Sequence, residues 1–377
     1  MLRRRLLKDT DFTLLVATLL LVGLGILVQA SATSTMPVGG DQWFYTKRHA
    51  LFAAVGLAAM VGAVALDYRD LARWAKFMYV ANLLFLGAVL VVGSSALGAQ
   101  RWFRLGSVSI QPSEFAKLAI IITLAAFLSR RADRLQRWTG LVLPFVHVGV
   151  PALLILAQPD LGTSLVFAAI LFGMLFVAGA RWTHLAVVYG GGLAAAVTWV
   201  VLHLKFGLWI PLKPYQLNRL IVFANPNIDP LGAGYHIKQA LVAIGSGGLF
   251  GKGLFTGTQS RLKFLPMQHT DFVFAVVGEE LGLIGALAVL VLFFIIIWRG
   301  VRIAAEAKDA FGALVATGVV SMFAFHVLVN VGMTLGMMPI AGIPLPFISS
   351  GGSALMTNCM AVGLLLGIHF RRRKITF

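Results

Sequence analysis

The stretches Leu14–Val28 (LLVATLLLVGLGILV) and Leu283–Trp298 (LIGALAVLVLFFIIIW) decide the fold class, because neither contains a charged residue. An apolar run of about 20 residues spans a bilayer as a helix, since lipid offers the backbone no hydrogen-bond partners. Only 12% of the 377 residues are charged, about half the share of about 25% in soluble domains. The chain is therefore predicted to be an all-α polytopic membrane protein.

Ten transmembrane helices are predicted from the apolar runs. The predicted spans are 12–30, 49–66, 75–93, 114–128, 141–157, 162–178, 184–204, 271–298, 311–336 and 349–370. No soluble domain or low-complexity linker interrupts them, so residues 1–377 are expected to form a single integral membrane domain. The large segment 205–270, between the seventh and eighth helices, is expected outside the membrane, where it can meet a water-soluble head group.

The basic residues predict the orientation of the chain. With a cytoplasmic N-terminus, 19 of the 31 Lys and Arg residues lie in cytoplasmic segments, as the positive-inside rule requires. Most of the others lie in the long segment 205–270, to which the rule gives little weight. Both termini are thus expected in the cytoplasm and segment 205–270 outside. The first span resembles a signal peptide up to Ala30-Ser31-Ala32, and it is expected to be retained.

Net charge and cysteine content argue against other classes of protein. The net charge of +17 could suggest a nucleic-acid partner, but the basic residues flank apolar segments. That placement is typical of topology signals and of anchors to anionic lipid, so no nucleic acid is expected. The single cysteine, Cys359, permits neither an intramolecular disulfide nor a multi-cysteine metal site. His236 and His269 lack metal-ligand spacing, and no metal site is predicted.

Asp271 is the main catalytic candidate. It opens the eighth predicted span at the outer membrane boundary, where a carboxylate can reach both water and a membrane-bound head group. An ionisable residue in an apolar segment is costly, so a functional role is the first hypothesis. The alternative is a structural carboxylate at a helix N-terminus, which complements the helix dipole.

Other charges inside the predicted spans are expected to be structural. Glu279 and Glu280 lie about 12 Å deeper than Asp271 at 1.5 Å per residue, and as neighbours they should point to different helix faces. A buried pair with a polar partner is favoured over a division of acid and base work. Glu114 and Lys117 are three residues apart and should form an ion pair on one helix face. The alternative for this pair is a role in orienting Asp271.

Basic residues on the outer side point to an anionic ligand, because they run against the positive-inside rule. Arginine suits a diphosphate, since its planar fork binds two oxygens at once. The outer basic residues are Arg101, Arg104, Arg219, Lys252, Arg261 and Lys263. Solvated loop charges are the alternative for each of them.

The glycine-rich segment 232–253 is a second candidate for anion binding. It lacks the spacing and the Ser or Thr of a nucleotide-binding P-loop, so that interpretation is rejected. Its backbone N–H groups and Lys252 could still cradle a diphosphate, and the alternative is a tightly turned re-entrant segment. Asp160, in an outer turn, is a candidate head-group ligand whose alternative role is to cap the sixth helix.

Several motifs follow one another along nearly the whole chain. They are Gly98–Trp102 with Gln111–Glu114, Gln158–Thr163, Asp229–Tyr235, Ile244–Gly253, Gly257–Ser260, Leu265–Gly282, Pro344–Phe347 and Ser350–Ser353. Through them the chain resembles the SEDS family (shape, elongation, division, sporulation), and Gly257–Ser260 favours its RodA-type elongation branch. One departure is Met267-Gln268, where the family often carries a glutamate.

The resemblance implies a ten-helix fold in the bacterial inner membrane. It implies a glycosyltransferase that polymerises lipid II, an undecaprenyl-diphosphate disaccharide-pentapeptide, into glycan strands during cell elongation, with Asp271 as the essential aspartate. It also implies partners, namely a class B penicillin-binding protein that crosslinks the new strand and other membrane proteins of the elongation complex. The candidate substrate-binding residues are Arg101, Arg219, Lys252, Asp160 and Ser350.

The expected reaction joins the 4-hydroxyl of the acceptor N-acetylglucosamine to the anomeric carbon of the donor N-acetylmuramic acid. The donor is α-linked and the product β-linked, so one inverting displacement suffices, with Asp271 as the general base. A divalent cation, Mg²⁺ or Mn²⁺, could share the charge of the leaving diphosphate with the basic residues. Two alternatives remain: a lipid II flippase, which needs no base, and a non-catalytic scaffold of the cell-wall synthesis complex.

Overall fold

The computed structural model describes residues 10–96, 99–105 and 108–372, which form thirteen α-helices and three short strands. The helices are α1 (Phe12–Thr33), α2 (Phe44–Ala65), α3 (Tyr68–Val92), α4 (Pro112–Leu128), α5 (Trp138–Ala157), α6 (Leu161–Val177), α7 (Trp182–Phe206), α8 (Pro214–Ala224), α9 (Ala233–Gly247), α10 (Thr258–Arg261), α11 (Val273–Ala305), α12 (Ala310–Thr334) and α13 (Gly352–Phe370). The strands are β1 (Ser94–Ala96), β2 (Ala99–Leu105) and β3 (Val108–Ile110).

A helix lies at the position of every predicted span. Within the described ranges, eight helices are long and apolar enough to cross a membrane, namely α1, α2, α3, α5, α7, α11, α12 and α13. The other two, α4 and α6, have 17 residues each and pack against α12. The chain is therefore a multi-pass membrane protein built as a helical bundle.

The expected all-α fold is wrong in one place. Residues 94–96, 99–105 and 108–110 form a three-stranded antiparallel sheet in the order β1-β2-β3, between α3 and α4. Arg101 and Arg104 lie on the middle strand with Trp102 and Phe103 between them. Aromatic residues favour extended backbone, but a search for long apolar runs reports only helices and misses so short a sheet.

Helix α11 consists of two helices joined at Gly282, which has non-helical backbone angles (φ 67°, ψ −167°). The glycine-rich segment after α9 docks against this break, where the N–H of Gly253 donates to the carbonyl of Glu280 at 2.9 Å. A Cβ atom on Gly251 would lie 2.2 Å from the same carbonyl oxygen. The close approach of two backbones therefore requires glycine here, as the alternative of a tightly turned segment predicts.

Contacts between turns identify one end of the bundle, which we call the basic end. Arg69, at the start of α3, donates to Asp309 at 3.2 Å, and Arg372, after α13, donates to Glu306 at 2.6 Å. These contacts bring together the turns before α3 and α12 and the residues after α13. Asp271 precedes the first residue of α11, whose last residue is next to Glu306, so Asp271 lies at the opposite end.

Candidate active site

Asp271 lies in a turn directly before α11. The helix begins at Val273, and Phe272 occupies its N-cap position. The sequence predicted that Asp271 opens the helix, and this is wrong. Because Phe272 is the N-cap residue, Asp271 does not occupy the position of a capping carboxylate. This placement leaves the Asp271 side chain at the edge of the bundle and outside the membrane-spanning helix.

The main chain around Asp271 is held by hydrogen bonds from buried residues. The amide of Asn330, a fully buried residue of α12, donates to the carbonyls of Asp271 at 2.9 Å and Ile343 at 2.7 Å. The Ser349 hydroxyl donates to the carbonyl of Thr270 at 2.6 Å. Sequence analysis missed Asn330, although a lone amide within an apolar helix is a signal for such a polar contact. These bonds position the backbone without engaging the Asp271 carboxylate.

Arg219 and Asp271 both border Gly342, in the loop between α12 and α13. A Cβ atom on Gly342 would lie 3.4 Å from Arg219 Nη1 and 3.6 Å from Asp271 Oδ2. Arg219 Nη1 is 3.4 Å from the carbonyl of Ile340, and its guanidinium lies over the ring of Tyr215 at 5.6 Å. Gly342 has a φ of 68°, a backbone conformation that favours glycine. Because glycine has no Cβ atom, the space between the two charged groups stays open.

Asp160 approaches the same place from the turn between α5 and α6, and Arg101 reaches this turn from β2. The Arg101 guanidinium donates to the carbonyl of Gln158 at 2.9 Å and also to that of Pro159. Asp160 caps α6 by accepting from the N–H of Thr163 at 3.2 Å. The structural alternative for Asp160 is thus present, and its carboxylate also influences Asp271 electrostatically.

Opposing charges act on the Asp271 carboxyl group. Burial raises the pKa of Asp271 above its usual range, and nearby Asp160 raises it as well, whereas Arg219 and Arg101 lower it. A carboxylate of raised pKa is a better proton acceptor than an ordinary aspartate. We call this place, bordered by Arg101, Asp160, Arg219, Asp271 and Gly342, the Asp271 recess.

Ser350 lies next to this recess through its backbone. Its N–H donates to the carbonyl of His269 at 2.8 Å. The side-chain amide of Gln29 donates to the same carbonyl and to that of Ile348, both at 2.8 Å. The loop before α13 is therefore tied to the turn that carries Asp271, and head-group binding by the Ser350 side chain stays a prediction.

The structure places Lys252 in a different environment. Its Nζ atom lies 2.9 Å from Glu279 Oε1 and 2.8 Å from the Thr258 hydroxyl. The same carboxylate oxygen accepts from the N–H of Gln259 at 2.9 Å, and Glu279 is fully buried. The backbone N–H of Lys252 is also occupied, because it donates to the Glu279 carbonyl at 3.0 Å. These contacts favour a structural role for Lys252 over the predicted diphosphate contact.

Glu279 and Glu280 reach the same loop, although adjacent residues were expected to point to different helix faces. A Cβ atom on Gly257 would lie 2.8 Å from Glu279 Oε2 and 3.0 Å from Glu280 Oε1. Glu280 Oε1 also accepts from the Ser31 hydroxyl at 2.6 Å. The loop at Gly257 therefore contacts both carboxylates, and their direction on the helix stays a prediction.

Glu114 and Lys117 form an ion pair of 2.8 Å on α4, with side chains only 5% and 1% exposed. Lys117 Nζ also lies 3.3 Å from His326 Nε2, and His326 Nδ1 lies 3.1 Å from the carbonyl of Pro344. Pro344 belongs to the α12–α13 loop that borders Asp271. The ion pair is therefore present, and a chain of polar contacts connects it to the loop beside the recess.

Fold and site together define a class: a multi-pass membrane protein with a carboxylate and two arginines gathered at one end of its bundle. The sequence model of the FtsW, RodA and SpoVE family, described as "Cell cycle protein", matches residues 10–374. The chain is 41% identical to stage V sporulation protein E of Bacillus subtilis, covering 95% of this chain and 96% of that protein. It is 40% identical to peptidoglycan glycosyltransferase MrdB of Escherichia coli K12, covering 95% and 94%. The chain therefore belongs to this family, and the resemblance inferred from its motifs is confirmed.

Solved structures agree with this assignment. The chain matches the crystal structure of the rod shape determining protein RodA of Thermus thermophilus with a TM-score of 0.70 and 31% identity, covering 97% of this chain and 98% of that one. It matches a chain from a study of polymerization and crosslinking by a peptidoglycan synthase complex with a TM-score of 0.81 and 32% identity, covering 96% and 98%.

Proposed function

We propose that this chain is an inverting peptidoglycan glycosyltransferase that polymerises lipid II during cell elongation and releases undecaprenyl diphosphate. The observation that carries the proposal is the Asp271 recess, where one carboxylate of raised pKa lies near two arginines. Relatives named peptidoglycan glycosyltransferase, at 40% identity over 94% of their length, support this reaction class.

Asp271 is the general base of the proposed reaction. Its carboxylate takes the proton of the acceptor 4-hydroxyl, which is a poor nucleophile at neutral pH. The hydroxyl oxygen bonds to the anomeric carbon as the bond from that carbon to the diphosphate oxygen breaks. The electron pair of the broken bond leaves with undecaprenyl diphosphate, and the configuration changes from α to β. The hydrogen bonds from Asn330 and Ser349 to the backbone around Asp271 hold the base in place.

Arg219 is the main ligand of the leaving diphosphate in this mechanism. Among the residues that the structure describes, it makes one long hydrogen bond and a ring contact, and its other N–H groups can donate to phosphate oxygens. Arg101 binds main-chain carbonyls and contributes positive potential and support for the turn that carries Asp160. Ser350, beside the same turn as Asp271, is assigned to the head group.

A divalent cation is compatible with this arrangement. Among residues 10–96, 99–105 and 108–372, no cluster of three or more His, Cys, Asp or Glu side chains forms a protein-only metal site. Mg²⁺ usually binds through one or two carboxylates together with substrate phosphates. Asp160 is the carboxylate that would hold it, through lone pairs not used by the hydrogen bonds that its oxygens accept from Thr163 and Gln111. A bound Mg²⁺ or Mn²⁺ would neutralise charge on the diphosphate.

The proposed topology has ten membrane crossings in a single integral membrane domain, residues 1–377. Both termini and the basic end face the cytoplasm, and segment 205–270 faces the outside of the inner membrane, with the Asp271 recess. The gathering of Arg69, Arg372 and their acidic partners at one end and of Asp271 at the other supports this orientation.

The proposed partners are a class B penicillin-binding protein and other membrane proteins of the elongation complex. Structural similarity to a chain of a peptidoglycan synthase complex, whose study concerns both polymerization and crosslinking, supports a crosslinking partner. In such a pair, the strand made at the Asp271 recess would be the substrate of the crosslinking enzyme.

A polymerisation assay tests the proposed function. Purified protein is incubated with fluorescent lipid II in detergent, with and without a class B penicillin-binding protein, and products are separated by gel electrophoresis. We expect glycan polymer, which excludes a pure flippase because detergent offers no compartment to cross. Absence of polymer with the partner present would favour the flippase or the scaffold.

A further inference from the structure

A second recess, which we call the arginine pocket, lies at the basic end. Its volume is about 540 Å³, and Arg131, Arg134 and Arg137 line it together with Phe127 and Leu143. The pocket is formed by the turn between α4 and α5. Ser129, the residue after α4, lines a neighbouring cleft together with Arg69 and Lys308. Since Arg69 belongs to the basic end, the turn after α4 and its pocket lie at that end as well.

The positive charge of the arginine pocket is not balanced by protein groups. One acidic residue, Asp133, lines it beside the three arginines. Three other arginines of the basic end are paired, namely Arg73 with Asp70 and both Arg302 and Arg372 with Glu306. Among the ion pairs of the described residues, none includes an arginine of the pocket. A set of unpaired guanidinium groups around one recess is suited to an anion.

Arg131 is also held in a fixed orientation. Its guanidinium carbon lies 4.6 Å from the ring centroid of Phe127, the last but one residue of α4. Such a contact is attractive and keeps the planar group against the ring face, while its N–H groups remain at the edge of the plane, where oxygens can accept from them. The pocket therefore has a preoriented donor in addition to its charge.

The start of α5 adds to the positive potential. Arg137 occupies the N-cap position without a side-chain cap, and Thr139 and Gly140 of the first turn line the pocket. The N–H of Gly140 donates to the carbonyl of Arg137 at 3.0 Å, so the contribution of this turn is the helix dipole, which favours an anion at a helix N-terminus. Trp138 and Leu143 on the same helix are 50% and 51% exposed, and in a membrane-crossing helix such residues face lipid. The pocket is thus charged at the turn and apolar along the helix.

We propose that the arginine pocket binds the phosphate of an anionic phospholipid from the membrane leaflet at the basic end. The three arginines and the first turn of α5 hold the phosphate oxygens, and the acyl chains lie along Leu143. A soluble phosphate shares the head-group chemistry but not the apolar part. The site is separate from the Asp271 recess and does not depend on the proposed glycosyltransferase activity.

The test compares two variants of the full-length protein with the same change in charge. The pocket variant carries Arg131→Gln, Arg134→Gln and Arg137→Gln, and the control carries Arg73→Gln, Arg302→Gln and Arg372→Gln. Each protein, in neutral detergent, is titrated with short-chain phosphatidylglycerol or phosphatidylcholine, and bound lipid is measured by native mass spectrometry. We expect the pocket variant to bind phosphatidylglycerol at least about tenfold more weakly than wild type. We expect the control to stay within about twofold, because its arginines are already paired with carboxylates.

Three results would overturn the proposal. They are equal binding of phosphatidylglycerol and phosphatidylcholine by wild type, equal losses in the two variants, and competition by glycerol phosphate at the same concentration as the lipid. The last result would assign the pocket to a soluble phosphate. A single change, Arg131→Lys, covers the case in which the triple variant does not fold. It keeps the charge but loses the planar contact with Phe127, so we expect intermediate binding of phosphatidylglycerol, and binding as in wild type would contradict the proposal.

Discussion

Asp271 and Glu279, eight residues apart in the sequence, differ in how their charges are compensated. Glu279 is buried and accepts from the Lys252 ammonium, the Thr258 hydroxyl and a backbone N–H, at 2.9 to 3.0 Å. Asp271 has a fixed main chain, but its carboxylate borders Arg219 across Gly342 and forms no ion pair within the part of the chain that the structure describes. A carboxylate with every oxygen engaged stabilises the fold, whereas Asp271 keeps its charge available for a substrate proton.

The largest expected effect is that of removing the free carboxylate. Asp271→Asn preserves the shape of the side chain but removes its basicity, so we expect the rate of lipid II polymerisation to fall by about 10²–10⁴-fold. The thermal unfolding midpoint should not change, because the hydrogen bonds in this turn use main-chain carbonyls. Asp70→Asn, a change of the same kind in an exposed ion pair of the basic end, is the control. A residual rate above about a tenth of wild type would contradict the role of general base.

The second prediction concerns a charge that is compensated and buried. Glu114→Ala leaves the Lys117 ammonium without its carboxylate at a site that is 1% exposed. We expect a loss of about 3–5 kcal/mol in the free energy of unfolding, and the double variant with Lys117→Ala should be more stable than the single one. Chemical unfolding of both single variants and the double variant measures this coupling.

Activity of the same double variant separates the two roles considered for this pair. If stability recovers and polymerisation does not, the contacts through His326 and Pro344 position the Asp271 recess. Simple additivity of the two single changes would instead mean that Glu114 and Lys117 do not interact.

Arg219 provides the third prediction, with an effect of about tenfold or more on lipid II use. Arg219→Gln removes a donor to the diphosphate, and Arg219→Lys should recover only part of the loss because lysine cannot bind two oxygens in a fixed plane. Burial raises the pKa of Asp271, and Arg219 opposes that effect. Loss of the positive charge therefore raises this pKa further, and a base must be ionised to act. The acidic limb of the pH–rate profile should move to higher pH in Arg219→Gln, and an unmoved limb would show that the two residues are not coupled.

Local patterns in the sequence were sufficient for the helices and for several charged residues. Long apolar runs predicted helix positions, and the cost of charge within such runs singled out Asp271 and Glu114. The short sheet of β1, β2 and β3 was missed because it has no long apolar run. The approach of Arg101 and Arg219 depends on packing between segments more than one hundred residues apart, which no local pattern encodes. The break at Gly282 likewise decided the partners of Glu279, and a regular helix would have placed them elsewhere.

The smallest expected effect is that of Lys252, which carries the same charge as Arg219 in a compensated environment. Its side chain is 26% exposed, so water screens its ion pair with Glu279, and the carboxylate retains donors at Thr258 and Gln259. Lys252→Gln should therefore lower the free energy of unfolding by only about 1 kcal/mol. The lipid II concentration for half-maximal rate should stay at the wild-type value, as it should in the control Arg372→Gln at the basic end. If Lys252→Gln raised that concentration as much as Arg219→Gln does, Lys252 would be a diphosphate ligand, and the distinction between compensated and available charges would fail.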